Sequence, residues 1–570
     1  MYGVNRGGAS KWATYPQLEE GDNGGFHRPW VAPEWLVRTD RSSHGFTSML
    51  GKKRCFALGG RDICRRADGS VNEKTGIGVC KSERRISFSL GFVNDPFTYS
   101  TIPGRNRVSR TEGFADFENG GAVCDLRLYL LPGGDRLPCA SALLRASYRD
   151  LRDSVKENGT VEDAARAIAD ALCDYGYDKD ARNFYITLPD VAKNPDAEPF
   201  APGFSASWTG GARTAYPLLT AGLRLGEEKW TDCAVSVLDH IADCAVSEQS
   251  GLFHENYDPV KKEWNARGWW YRDLEMPGHS AYVNGQTCYY LLASYKEAGA
   301  QGREKESWLS AASRVLHKVM ETQLESGSFG YTYRESDGSL LDPDGFSSCW
   351  FVPGLVLLWE CAQDKAALAA AERAMDFYWG EVKTFHLYGG PHDIFKSPDE
   401  EGVLAFIKAA ELLHRLTGGE RYLQMLSDGV EYEFSWKFSY NPVLEAEPLR
   451  SMHWAACGGS VTSVNNSHIH PMGSAILKSL SYLAEQTKDP YFADRYRDTL
   501  YWTSNVYLHE DGEYDWGKKG LINERFCYSD SLLAERYPDG SPSSTWFCAH
   551  SWASGAVLEG VAELLPEKKA

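Results

Sequence analysis

The sequence lacks the features that mark membrane and nucleic-acid-binding proteins. It contains no uninterrupted run of about 18 apolar residues, the length that a transmembrane helix needs, and the segment Met1 to Trp12 has no apolar signal-peptide core. It also lacks a cluster of Lys and Arg, since 60 basic side chains stand against 78 acidic ones for a net charge of −18. We therefore expect a cytoplasmic protein that binds neither membranes nor nucleic acid.

The sequence also lacks the residue spacings that bind metals and phosphates. None of its 14 Cys residues forms a CxxC pair, and it has no HxxxH motif, calcium loop or glycine-rich phosphate loop. We therefore expect no metal and no cofactor. Scattered Cys residues without a signal peptide are more often small buried apolar residues than disulfides.

Aromatic residues, by contrast, are abundant: 18 Trp, 30 Tyr and 24 Phe. Trp and Tyr present flat apolar faces with a polar edge, and such faces suit the C–H surface of a sugar ring. A large core that uses aromatic residues is the alternative explanation of the count. The positions of these residues on predicted loops favour carbohydrate as the partner, and no pattern sets an oligomeric state.

The chain divides into two regions of different texture. Residues 1–150 are rich in Gly, Arg and short apolar runs, of which 85–90 and 122–130 are typical of strands. This region is predicted to be β-rich or irregular. Residues 151–570 are predicted to form a second, helical domain.

Twelve segments of the second region carry apolar residues at helical spacing. They lie near 161–174, 209–225, 228–247, 279–298, 305–324, 348–362, 365–379, 400–416, 420–434, 470–486, 490–508 and 546–562. Short turns alternate with long connections, the latter at 248–278, 325–347, 380–399, 435–469 and 509–545. Asp489-Pro490, in one short turn, predicts a helix N-cap followed by Pro at the first helical position.

The helix after each long connection is the more apolar of its pair, and a helix that is apolar all round is buried. This alternation predicts two concentric rings of six helices, with the long loops gathered over the N-termini of the inner helices. Over residues 160–570 the chain thus resembles the six-hairpin glycosidase superfamily and, more loosely, the toroid polysaccharide lyases. The resemblance implies a mainly α fold, an (α/α)6 toroid, with the active site among the long loops.

Glycosidic bond hydrolysis usually needs two carboxyl groups, one to protonate the leaving oxygen and one to activate water or attack the sugar. The loop 380–402 offers Glu401 and Asp393 as candidate catalytic residues, with His392 as a candidate substrate-binding residue. Ser397-Pro398-Asp399-Glu400 favours a plainer interpretation, a capping box with Pro at the first helical position. That interpretation accounts for Glu400 but leaves Glu401 and Asp393 unexplained.

A second loop, 251–279, is rich in carboxylates and consecutive aromatic residues. The alternative is a surface loop with solvated charges and Trp side chains packed on the toroid. The candidate catalytic residues of this loop are Glu255, Asp273 and Glu275, and its candidate substrate-binding residues are Trp269, Trp270 and His279.

His468 and His470 form a third cluster, before another inner helix. Their side chains titrate near neutral pH and suit proton transfer, hydrogen bonding to a sugar or simple ordering of the loop. Asn465 and Asn466 precede them, an arrangement loosely similar to that of toroid alginate lyases. Other inner-helix starts supply further candidate substrate-binding residues: Trp350, His550 and Trp552.

The favoured hypothesis is a glycoside hydrolase that acts on oligosaccharides or chain ends. It pairs Glu401 or Asp393 with a carboxyl of the 255–275 loop, preferably Asp273. A polysaccharide lyase is the main alternative and relies on His468, His470, Asn465 and Arg272. A sugar epimerase and a non-catalytic sugar-binding protein are further alternatives.

Overall fold

The structure of the protein is a computed structural model. It describes residues 34–66, 68–69, 72–80, 82–94, 111–115, 121–188, 203–266, 278–385, 387, 390, 399–462, 468–529, 537, 539–546 and 548–567.

The first region forms antiparallel β-structure, as its sequence texture predicts. Its described strands are β1 Glu34–Arg38, β2 Phe46–Leu50, β3 Arg54–Arg66, β4 Asn72–Cys80, β5 Arg85–Leu90, β6 Phe92–Asn94, β7 Thr111–Gly113 and β8 Ala122–Pro132. The long strand β3 pairs with β8 on one edge and with β2 and β4 on the other. Strand β4 continues the sheet by pairing with β1 and β5.

A helix in this region, α1 (Arg136–Leu151), was not predicted. The expectation of β or irregular structure is therefore wrong over residues 136–150. Leu144, Tyr148 and Leu151 are buried at helical spacing, but Pro138 and the preceding Pro132-Gly133-Gly134 look like punctuation of a loop. The helix is held by the small apolar core that it shares with β3 and β8, made of Cys55, Ala57, Tyr129, Cys139 and Leu143.

All twelve predicted helical segments of the second region contain a helix. They are α2 Val161–Ala171, α3 Gly211–Leu225, α4 Glu228–Cys244, α5 Ala281–Gly299, α6 Glu306–Met320, α7 Phe351–Ala362, α8 Lys365–Thr384, α9 Glu401–Thr417, α10 Glu420–Phe434, α11 Leu477–Thr487, α12 Pro490–Thr503 and α13 Ser551–Ala562. Helix α11 starts later than predicted because Pro471–Ile476 forms a 3-10 turn. The predicted cap of α12 is confirmed, since Asp489 accepts a hydrogen bond from the Tyr491 backbone N–H.

The connections carry short strands of two or three residues. They are β9 Tyr177–Asp178, β10 Asn183–Phe184, β11 Phe204–Ser205, β12 Asn256–Asp258, β13 Glu263–Asn265, β14 His279–Ser280, β15 Thr332–Tyr333, β16 Leu340–Asp342, β17 Ser460–Val461 and β18 Ile469–His470.

The helices form two concentric rings, so the predicted (α/α)6 toroid is confirmed. In the inner ring α3 packs on α5, α5 on α7 and α7 on α9, and the 3-10 turn before α11 links α9 to α13, which closes the ring onto α3. Five hairpins pair consecutive helices from α3 to α12, and the sixth joins α13 to α2. No helix within the described ranges combines the length and apolarity needed to cross a bilayer.

Burial follows ring position. In the inner helix α5 every residue from Ala281 to Ser294 is buried, whereas the outer helix α6 buries one stripe: Trp308, Ala311, Ala312, Val315, Leu316 and Val319. A helix with one apolar stripe exposes its other side to water, whereas a helix that is packed on all sides must be apolar or small on all sides. In chain order, each long connection leads into the N-terminal end of one of these buried inner helices.

Gly285 sets the distance between the inner helices α5 and α7. A Cβ atom at this position would lie 2.6 Å from Trp350 Cβ and 2.8 Å from the Phe351 backbone nitrogen. Gly285→Ala is therefore expected to lower the free energy of unfolding by about 1–3 kcal/mol, through overpacking. Denaturant unfolding followed by Trp fluorescence measures the change.

Gly299, in the last turn of the same helix, provides the matched control. Its added Cβ would make only ordinary contacts, at 3.8 Å from Glu304. Gly299→Ala is expected to be neutral or stabilising by up to about 1 kcal/mol, because Ala has the higher helix propensity. Equal effects of the two substitutions would show that the α5–α7 approach does not constrain position 285.

Candidate functional site

The starts of the six inner helices meet at one end of the toroid, and each supplies a polar or aromatic side chain. These side chains are Trp208 and Arg213 at α3, His279 and Tyr282 at α5, Trp350 before α7, Glu401 at α9, His468 and His470 before α11, and His550 and Trp552 at α13. Contacts around Tyr282 connect the starts of α3, α5, α7 and α9, and the stacking of His470 on Trp552 connects those of α11 and α13. A contact from Arg213 to Met472 joins the two groups.

Glu401 and Tyr282 form the central contact. Glu401 is the first residue of α9 and is 7% exposed, and its Oε2 accepts a hydrogen bond of 2.6 Å from the fully buried Tyr282 hydroxyl. Burial raises the pKa of Tyr282 well above its ordinary value, and the charge of Glu401 adds to the effect. Tyr282 thus remains a hydrogen-bond donor and orients the carboxylate.

Two tryptophans flank this pair. The ring centroids of Trp208 and Trp350 lie 5.7 Å and 6.0 Å from that of Tyr282, both in edge-on geometry. Trp208 has a φ of 64°, a left-handed conformation that costs a bulky residue about 1–3 kcal/mol and that often occurs at functional sites. The predicted substrate-binding residue Trp350 is only 1% exposed, so it supports Tyr282 from within the ring.

Arg213 places a buried positive charge beside these residues. Its side chain is fully buried and its Nη2 donates to Met472 Sδ at 3.0 Å. Its Nε and Nη1 have no hydrogen-bond partner in the part of the chain that the structure describes. The charge of Glu401 acts on Arg213 through space, so the guanidinium contributes a positive field at this end of the toroid.

His470 immediately precedes the 3-10 turn before α11, which packs next to α9 in the inner ring. Its ring stacks on that of Trp552 with centroids 6.2 Å apart, and its Nδ1 donates to the His468 carbonyl at 2.9 Å. Burial lowers the pKa of His470 well below its ordinary value, and the charges of Arg525 and His468 lower it further. His470 is therefore neutral at physiological pH and carries its lone pair on Nε2, the state of a general base.

His550 lies next to His470, between an aromatic and a carboxylate. Its ring stacks on Trp546 at 5.3 Å, and its Nε2 is 3.3 Å from Glu524 Oε2. The Arg525 guanidinium covers the Trp546 ring at 4.0 Å. Burial lowers the pKa of His550, so this imidazole is also neutral.

Glu400 occupies a buried polar cluster directly beneath Glu401. It is fully buried, and burial raises its pKa well above the ordinary 4.5, with the charge of Glu433 adding to the rise. Lys437 Nζ lies 2.9 Å from Glu433 Oε1, and Ser460 Oγ donates to the same oxygen at 2.7 Å. Two carboxyl groups share one ammonium group here, which favours a proton on Glu400.

The predicted position of Glu400 in the first helical turn of a capping box is wrong, and Ser397 and Pro398 lie outside the described residues. Helix α9 begins at Glu401, and its N-cap residue Glu400 makes no side-chain capping hydrogen bond. Asp399 instead accepts hydrogen bonds from the backbone N–H groups of Gly390 and Gly402. The motif failed because Glu400 is buried against Glu433 and Lys437. These two residues come much later in the chain, so a local pattern does not reveal the contact.

Glu255 and His279 have contacts that account for their burial. Glu255 is fully buried and Oε1 accepts the backbone N–H of Ser280, the N-cap of α5. His279 Nδ1 donates to the Phe253 carbonyl at 3.0 Å, and Ser250 Oγ donates to Nε2 at 2.8 Å. Burial lowers the pKa of His279 to about 4. Both residues order the loop before α5, and their predicted roles in chemistry stay predictions.

Several sequence-predicted site residues lie outside the described residues. They are Trp269, Trp270, Asp273, Glu275, His392 and Asp393. The structure therefore brings together Glu401, Trp350, His468, His470, His550 and Trp552 from the predicted set.

Sequence reasoning missed Tyr282 and Arg213. Tyr282 lies three residues after the predicted His279, in the first turn of α5. Arg213 is a charge within the otherwise small and apolar first turns of α3, and a lone charge on a predicted inner helix is the sequence signal that could have identified it.

Comparisons with known proteins identify only distant structural similarities. No protein-family profile matches the chain and no curated protein matches it. A family 76 glycoside hydrolase from a bovine Bacteroides thetaiotaomicron strain is 11% identical, with a TM-score of 0.47, over 91% of this chain and 98% of its own. Cellobiose 2-epimerase from Spirochaeta thermophila is 13% identical, with a TM-score of 0.48, over 75% and 98%.

An unsaturated glucuronyl hydrolase specific for heparin is 12% identical, with a TM-score of 0.41, over 70% of this chain and 95% of its own. At such identities and scores these similarities leave the reaction open.

Proposed function

We propose that this protein is a carbohydrate-active enzyme and that it is a glycoside hydrolase in which Glu401 exchanges the proton. The observation that carries the proposal is the hydrogen bond of 2.6 Å from Tyr282 to Glu401 Oε2. It holds a nearly buried carboxyl among aromatic rings where the inner helices converge. A carboxyl group in such surroundings suits proton transfer to a glycosidic oxygen.

The aromatic residues supply the complementary binding surface. Trp208 and Trp552 are each 6% exposed, so each offers an edge or a face while its body is packed in the ring wall. Sugar C–H faces pack on such rings, and the polar groups between them fix the orientation of the hydroxyls. Arg213, beside Tyr282, adds a positive charge that suits oxygen-rich ligands.

Hydrolysis needs a second carboxyl group, opposite Glu401. The residues proposed for it are Asp273, on the 255–275 loop, and then Asp393. One carboxyl protonates the leaving oxygen as the glycosidic bond breaks, and the other activates water or attacks the sugar carbon. The separation of the two groups decides between inversion and retention of configuration.

A second candidate function rests on His470. A neutral imidazole stacked on Trp552, with its Nδ1 hydrogen bonded to a carbonyl, is suited to remove a proton from a sugar carbon. Elimination from a uronate or epimerisation of a reducing-end sugar follows from that step. His550 and Arg525 lie close enough to lower the pKa of His470. Elimination and epimerisation give distinct products.

Product analysis on a panel of neutral and uronate-containing oligosaccharides separates these functions. We expect new reducing ends without new ultraviolet absorbance, because hydrolysis adds water and creates no double bond. His470→Ala is expected to retain bond cleavage, since proton exchange by a carboxyl does not need this imidazole. Mass spectrometry and absorbance of the products provide the measurement.

Other outcomes contradict the proposal. A new ultraviolet absorbance that disappears in His470→Ala identifies elimination, and a changed sugar of unchanged mass identifies epimerisation. A panel in which sugars bind but none is altered identifies a binding protein.

A further inference from the structure

The outer helix α4 is joined to the end of α2 by a ladder of side-chain contacts. Trp230 Nε1 donates to Asp170 Oδ1 at 2.9 Å, and the Tyr177 hydroxyl donates to Ser236 Oγ at 3.0 Å. Residues 172–176 extend the end of α2 by one π-helical turn and Tyr177 begins β9, while Trp230 and Ser236 both lie on α4. The two contacts therefore define facing stripes, one running from position 170 to 177 and the other from 230 to 236.

Cys173 and Cys233 lie in the middle of these stripes. Cys173 is three residues after Asp170 and Cys233 three residues after Trp230, and both are partly exposed thiols. Each cysteine has a neighbour in an ion pair: Lys229 Nζ lies 2.6 Å from Asp174 Oδ1. This pair fixes the same alignment of the two stripes. The turn 172–176 packs against α4 in this register, so the two thiols face each other across the contact, and each shifts the pKa of the other.

The two thiols differ in reactivity. Contact with Cys173 lowers the pKa of the Cys233 thiol, and the Lys229 ammonium lowers it further against the opposing effect of burial. The same contact, together with burial, raises the pKa of Cys173. Because the thiolate is the nucleophile, Cys233 is the thiol that attacks first. Cys173 is the thiol that then reacts with the mixed disulfide at Cys233.

We infer that Cys173 and Cys233 form a reactive dithiol site that takes low-molecular-weight disulfides and closes an internal disulfide between α4 and the turn that follows α2. The Cys233 thiolate attacks one sulfur of the small disulfide, whose S–S bond breaks and releases one thiol. The Cys173 sulfur, after losing its proton, then attacks the mixed disulfide at Cys233 and releases a second thiol. Two protein thiols are oxidised and one small disulfide is reduced to two thiols.

The disulfide has a structural consequence that does not depend on the proposed sugar chemistry. It joins positions 173 and 233, and the chain between them includes α3 with Trp208 and Arg213. A cross-link that closes a loop restricts the unfolded chain more than the folded one. The oxidised protein is therefore expected to melt at a higher temperature, on the order of 5 °C above the reduced form.

Peptide mapping tests the inference on the full chain. Cys244, an exposed thiol, is first replaced by Ser so that it cannot form unrelated mixed disulfides. The protein is incubated with glutathione disulfide, alkylated, and digested without reductant for mass spectrometry. We expect one cross-linked peptide that joins Cys173 to Cys233, and a rise in melting temperature that dithiothreitol reverses.

Single substitutions test the order of the steps. Cys173→Ser is expected to stop at a glutathione adduct on Cys233, whereas Cys233→Ser slows reaction at position 173 by about tenfold or more. The buried pair Cys55 and Cys139, which share the core beneath α1, serves as the internal control and is expected to stay reduced in the folded protein. Adducts without a cross-link, or alkylation of both thiols after oxidation, would overturn the inference.

Discussion

Glu401→Gln is expected to lower kcat/KM on the cleaved sugar by about 10²- to 10⁴-fold, the contribution typical of a general acid or base. Gln has the same shape and keeps a hydrogen-bond acceptor for Tyr282, which donates to Glu401 at 2.6 Å. It cannot exchange the proton. The loss is therefore expected in kcat, with an unchanged melting temperature, and initial rates on the hydrolysed panel substrate provide the measurement.

Glu411→Gln is the matched control. Glu411 lies on the same helix, α9, is 5% exposed, and is paired with Arg415 and Ser479. It is ten residues from Glu401, which places it about 15 Å further along the helix. We expect kcat/KM to be unchanged in this variant even where stability falls. Full activity in a folded Glu401→Gln variant would exclude Glu401 as the proton-exchanging group, and equal losses in both variants would point to helix damage.

Lys437→Met is expected to lower the free energy of unfolding at neutral pH by about 3–5 kcal/mol, the cost of leaving a buried charge without its partner. Lys437 is 1% exposed at the side chain and lies 2.9 Å from Glu433. Glu400, fully buried, faces the same carboxyl. Without the ammonium group, the two carboxyl groups retain only hydrogen bonds such as that from Ser460.

The loss is expected to shrink as the pH falls. The folded-state pKa of Glu400 is raised above the ordinary 4.5, so folding takes up a proton between that value and the raised one. Stability contributed by this group therefore declines as the pH rises through that window and is recovered below it. Removing Lys437 strengthens the effect, because Glu400 then loses the nearby positive charge that favours its ionised form.

Unfolding by urea at pH 7 and pH 5 measures this difference. The double variant Lys437→Met/Glu433→Gln removes both charges of the pair and is expected to recover most of the lost stability. Lys365→Met, at the exposed first position of α8, is expected to change stability by less than about 0.5 kcal/mol. A loss of equal size at both pH values would show that packing of the lysine chain, and not charge, dominates.

The toroid is predictable from the sequence because each of its helices produces a local pattern of apolar and capping residues. Apolar residues at helical spacing depend on a window of a few turns, and caps such as Asp489 before Pro490 mark the ends. The alternation of short and long connections then orders the rings. Helix α1 was not predicted because its first turn contains Pro138 and two glycines precede it. These residues are typical of loops, and we gave them more weight than the apolar spacing.

The contacts of the candidate site could not be predicted from the sequence. Tyr282 and Glu401 are 119 positions apart, and Glu400 meets Glu433 and Lys437 through the packing of α9 on α10. Sequence patterns selected Glu401 by position alone, while the capping motif at Ser397–Glu400 gave the wrong role to its neighbour. Residue type and loop position indicate where chemistry is located, but they do not state which groups touch.

The sequence by itself determined the twelve helices of the toroid, their order, the inner or outer position of each and the end of the toroid where the long loops gather. These depend on periodicity and hydrophobicity, which act over a few residues or over whole helices. Only the tertiary structure decided that Tyr282 orients Glu401, that Glu400 is buried beside Glu433, and that Cys173 faces Cys233. Each of these depends on the packing of elements that are far apart in the chain, which no local pattern of residues specifies.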